Sequence, residues 1–280
     1  MPAFAVALIA VGLGTAFGRT AALTAGTLTA TELWYLAAVH RQRWALGPRS
    51  AAAFSAGVAT AAMVLLPPFD GLADRAFAAH MLQHLVLIFV TAPLLMLGNP
   101  GLAIGRSVPP RMRRTARPVL RAAFRCEHRL ADPRAAFAVF SLGLWLWHIP
   151  ALFELAGRLP AVHVAEHATF VLVGAAFTAP LFARRPSLWV LPFLFATAME
   201  GTLLGALLTF SGQSWYASGG PGFAGLTALQ DQQIGGALMC LAGGVVTLAY
   251  GSWAFLAWAA RQPIPEAPAP TDHARPEFAR

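Results

Sequence analysis

The sequence predicts an all-α fold, a polytopic transmembrane helical bundle, on three observations. The 280-residue chain is 57% hydrophobic and only 11% charged, whereas soluble domains carry about a quarter charged residues. Apolar stretches of seventeen or more residues recur along it, and about 20 such residues cross a bilayer as a helix. These runs are continuous, whereas the strands of a membrane barrel alternate apolar and polar side chains.

Apolar length places helices at 2–18, 21–39, 51–67, 77–98, 135–157, 163–183, 188–210 and 233–260. The first falls in an N-terminal apolar segment, 1–20, that reads either as an extra span or as signal-like. It is short, lacks a basic leader and ends Ala16-Phe17-Gly18, a small-x-small pattern. The other seven make a core bundle over 21–261. Within 135–157, Pro150 is expected to loosen the helix. The connection 99–134 is a basic loop, and the tail 262–280, rich in Pro and Ala, is expected to be disordered.

The formal charge of +8 comes with 20 basic residues, all arginine. Nine of them lie in one stretch, from Arg106 to Arg134, and most of the others flank the apolar segments. This is the distribution of a positive-inside membrane protein rather than of a nucleic-acid binder, and such a loop also suits anionic lipid head groups. By this reading 17 arginines lie on the cytoplasmic side, against Arg19, Arg75 and Arg158 on the other. Cys126 falls in the basic loop and Cys240 in the last apolar segment. A disulfide between them, and thiol redox chemistry, are poorly supported.

Five of the eight histidines fall near the outer ends of three apolar segments: His80, His84, His148, His163 and His167. HMLQH and HVAEH each repeat histidine at four residues, so each pair shares one helix face. Ionisable groups inside a membrane are costly and point into the bundle or a wet cavity. A metal site explains five imidazoles at one depth, and a proton-linked polar cavity is the rival reading. Imidazole suits Zn, Cu, Fe and Ni. The soft neighbours Met81, Met199, Met239 and Cys240 lean toward Cu(I), although each also serves as packing. His40, His128 and His273 lie apart from this group.

Among the carboxylates, Glu166 and Asp231 are candidates to orient an imidazole or to cap a helix. Glu32 and Glu200 are deep in apolar segments. His163, Glu166 and His167 also match the HxxEH pattern of some zinc peptidases, but here it opens an apolar segment instead of lying in a soluble catalytic domain. There is no phosphate-binding loop or nucleophile elbow. Haem ligation by histidines on facing helices is a further alternative.

Several segments together resemble the CtaG family of cytochrome c oxidase assembly factors. They are AHMLQHLVLIFVTAPLLMLGNP, LWLWHIPALFELA followed by HVAEHATFVLVGAAF, LLGALLTF and QDQQIGGALM. The resemblance implies a multi-pass inner-membrane protein, not an enzyme, that helps build the copper centres of a haem–copper oxidase from the extracytoplasmic side. It implies oxidase subunits as partners and the building of their copper centres; the ion handled is then copper, passed to an oxidase subunit or to a soluble periplasmic copper chaperone acting with it. The family's histidines correspond to His80, His84, His148, His163 and His167, and Asp231 falls in its DQQ motif. Cys240 and Ala242 depart from the family pattern, which often has Trp and Pro there. A copper transporter is the rival from another class, and it requires polar stations through the full depth of the bundle.

Overall fold

The computed structural model describes residues 16–41, 46–108, 110–183, 189–216 and 225–260. These are helical, with no strand among them. In chain order the helices are α1 (Ala16–Arg41), α2 (Pro48–Leu65), α3 (Phe69–Ala73) and α4 (Phe77–Leu97). Then come α5 (Pro100–Ser107), α6 (Arg113–Leu130), α7 (Pro133–Trp147) and α8 (Pro150–Arg158). The last three are α9 (Pro160–Thr178), α10 (Val190–Thr209) and α11 (Ala228–Ala259). The expected segment 2–18 and tail 262–280 lie almost wholly outside the described residues.

Four of these helices, α4, α9, α10 and α11, are long and apolar enough to cross a membrane. A fifth span results if α7 and α8 count as one. Helices α1 and α2 occupy the expected 21–39 and 51–67 segments but are less apolar than those four.

Proline sets where many of the helices start. α2, α5, α7, α8 and α9 each carry Pro in the first turn, where its missing N–H is unneeded and its fixed φ already suits a helix. The same chemistry breaks the expected 135–157 helix. Pro150 cannot continue α7, and the chain bends by 72° between α7 and α8. His148 caps the end of α7 at that corner. The loop 99–134 is more ordered than the sequence suggests. It contains α6, on which Arg114, Arg117, Arg121, Arg125 and Arg129 form one stripe opposite Val119 and Leu120.

The main core runs between α4, α7, α9, α10 and α11, and a smaller one gathers Tyr35, Phe54 and Ala103 from α1, α2 and α5. One close approach matters for the site. A Cβ on Gly174 of α9 would lie 2.5 Å from the carbonyl oxygen of Ile88, so only glycine permits this contact. Ile88 belongs to a π-helical turn, Leu87–Thr91, inside α4. The contact pins α9 against α4 about two turns below His167.

Candidate metal centre

His80 and His84 lie on the buried face of α4, together with Gln83. His163, Glu166 and His167 fall within a roughly 100° arc at the start of α9. The contact at Gly174 turns these two faces toward each other. Ring centroids are 4.3 Å apart within each pair, and across the helices 5.7 Å for His80–His163 and 5.6 Å for His84–His167. Glu166 is wholly buried, and its Oε1 lies 3.7 Å from Nε2 of both His80 and His84. That is too long for a hydrogen bond.

Two overlapping donor sets result. His80, His163 and His167 form one, and His80, His84 and Glu166 the other, each with its ligand atoms within 4.8 Å of one another. An ion with bonds of about 2 Å needs tetrahedral donors about 3.3 Å apart, so small side-chain rotations close either set. The fifth histidine stands off. His148 belongs to neither set, and its Nδ1 lies 2.7 Å from the Leu144 carbonyl oxygen one turn earlier on α7.

The chemistry of the donors fits a metal ion. Among the described residues, eleven buried side-chain N or O atoms have no hydrogen-bond partner, and eight of them belong to these five histidines and Glu166. A buried polar atom left unpaired costs about 1–3 kcal/mol, and an ion held among these donors would satisfy them. The floor is apolar. The ring of Phe170 lies 4.1 Å from that of His84, and buried Leu87, Val173 and Phe177 continue below.

The other candidates have structural partners elsewhere. Asp231, in the first turn of α11, accepts from the backbone N–H groups of Phe77 (2.6 Å) and Ala78 (3.0 Å). α4 has no side-chain cap of its own, so a carboxylate from another helix satisfies its first donors and holds the start of the His80/His84 helix. Glu200 accepts from Ser141 and Glu32 from Ser55, each on a neighbouring helix. Met81 is buried against Gly235, Met199 is exposed, and the Cys240 thiol points to the Thr202 carbonyl.

Three residues escaped the sequence reading. Gln83, inside HMLQH, is buried and donates to the Val64 carbonyl (2.6 Å) and to Asp70 (3.0 Å). Asp70 lies on α3 beside the cluster; its only sequence signal is a carboxylate shortly before the first histidine pair. The Tyr216 hydroxyl donates to the His148 carbonyl at 2.8 Å and holds the α7–α8 corner. No sequence signal identified it.

Residues 33–261 match the profile of the family described as cytochrome c oxidase caa3 assembly factor (Caa3_CtaG). No curated protein and no solved structure matches the chain.

Proposed function

Because the chain belongs to the cytochrome c oxidase caa3 assembly factor family, we propose that it holds a copper ion, as Cu(I), in its histidine cluster and delivers it to the oxidase copper centres. The unpartnered donors of His80, His84, His163, His167 and Glu166 carry this reading. Imidazole nitrogens bind Cu(I) well, and a site that must release its cargo needs no further fixed ligand. His148, buried at the edge of the cluster, belongs to neither donor set and is held against the Leu144 carbonyl.

The reading comes with a topology. Seven core spans, counting α1, α2 and the bent α7–α8 pair, put the arginine-rich connections in the cytoplasm and the histidines on the outer face of the inner membrane. Anionic lipid against α6 and a periplasmic copper chaperone complete the partners. The role is binding rather than catalysis. Transport across the bilayer is disfavoured by the apolar floor of Phe170, Leu87 and Phe177, and by the serine partners of Glu32 and Glu200 away from the cluster.

Elemental analysis of the purified, reduced protein tests it. Wild type retains about one copper per chain, and His80→Ala, His163→Ala and His167→Ala each lose most of it. Equal substoichiometric copper in wild type and all variants, or a Soret band in the wild type, overturns the proposal.

A further inference from the structure

Among the described residues, the histidine cluster is open on one side. His80, His84 and His148 are buried, whereas His163 and His167 are only partly covered. Phe153 lies edge-on to His80 at 5.1 Å, and Phe77 stacks on Tyr216 at 4.7 Å, which closes the side toward α8 and α11. His163 and His167 instead line a cavity of about 600 Å³ between the first halves of α1 and α9. Among the described residues its remaining lining is apolar or threonine, with one exception, Asp70.

The position of Asp70 is held from behind. Gln83 donates to its Oδ1 at 3.0 Å, and the same amide is locked by the Val64 carbonyl at 2.6 Å. Two carboxylates therefore bracket the histidines. Glu166 lies at the sealed rear, wholly buried, while half-buried Asp70 faces the cavity. In an apolar port a single carboxylate dominates the field felt by an incoming cation.

We propose that the metal ion reaches the histidines through the cavity between α1 and α9, and that Asp70 is its transient first ligand there. This deepens the copper-binding reading and rests on it. Asp70 stabilises the cation before any imidazole can reach it. His163 and His167, the other titratable groups lining the port among the described residues, then take the ion. His80, shared by both donor sets, links them to the deeper His84 and Glu166. Because Asp70 belongs to neither set, it governs the rate of loading and not the final occupancy.

The test follows copper transfer from a Cu(I)–bathocuproine complex to the reduced, purified protein, recording both the rate and the final stoichiometry. Asp70→Asn keeps an oxygen for Gln83 and removes the charge; it should load roughly tenfold more slowly than wild type to the same stoichiometry. Thr24→Trp, which fills the port from α1, should slow loading comparably. Asp74→Asn, exposed nearby but not lining the cavity, should load like wild type. Unchanged loading in Asp70→Asn overturns its role as first ligand, and so does a loss of final stoichiometry, which would make Asp70 a permanent ligand. If wild type takes up no copper, the copper-binding reading itself fails. Normal uptake with equal rates in every variant overturns the port alone.

Discussion

Two buried polar clusters lie side by side near one end of this bundle, and they are opposites. In the first, at the α10–α11 turn, Asp231 uses both carboxylate oxygens on α4. Gln232 accepts from the Trp215 N–H and donates to Leu208 and Gln213, while Tyr216 donates to His148. In the second, His80, His84, His148 and Glu166 are buried and His163 and His167 partly so, yet most of their polar atoms have no hydrogen-bond partner. A saturated cluster strengthens the fold, whereas an unsaturated one weakens it and is retained for what it binds. The two are also coupled, since Asp231 holds the helix that presents His80 and His84.

Opposite signs of mutational effect break or sharpen this contrast. The largest effect is expected for Asp231→Ala, which strands one buried and one partly buried N–H group at the start of α4. The copper-free protein should lose about 2–4 kcal/mol of stability, read as a lower melting temperature. Copper affinity should also fall about tenfold, because the ligand helix is no longer held. Glu166→Met should act the other way. Removing a buried carboxylate that has no hydrogen-bond partner should raise the stability of the copper-free protein by about 1–3 kcal/mol, while copper retention drops. A destabilised Glu166→Met protein would mean that Glu166 is structural and would erase the difference between the clusters.

The smallest effect concerns pH and Asp70. Burial pushes its carboxyl up from 3.8 to about 6; the charge of Asp74 adds to this, and the Gln83 hydrogen bond and His80 oppose it. A raised acid pKa means the folded state holds the proton more tightly. The resulting stabilisation is fully present below about pH 4 and is lost as pH rises through about 6. Discounted for partial exposure, it amounts to about 1 kcal/mol. Asp70→Asn should therefore melt closer to wild type at pH 4 than at pH 7, where the variant gains. An identical pH profile would show that Asp70 is more solvated than its place in the port implies.

Much of this was legible without coordinates. Apolar length located α4, α9, α10 and α11, because a membrane helix must hide its whole backbone within one continuous segment. The four-residue spacing put His80 with His84 and His163 with His167, a consequence of helical geometry alone. The break at Pro150 was visible as a loosening, though not as a 72° bend. The α6 stripe was missed as a helix because its composition reads first as a charged loop. Glu166 and Asp231 were ambiguous for a clear reason. A carboxylate near a helix start has the same local signature whether it caps its own helix, caps another or faces a ligand.

The sequence by itself determined the membrane class, the helical fold and the face that each histidine pair occupies, since these depend on composition and on contacts within about one turn. Only the tertiary structure decided which faces meet. It put Glu166 against His80 and His84, left His148 outside both donor sets, sent Asp231 to the head of α4 and set Asp70 at the open side of the cluster. Those outcomes depend on close approaches such as Gly174 against Ile88, where packing between residues distant in the chain, not local propensity, sets the geometry.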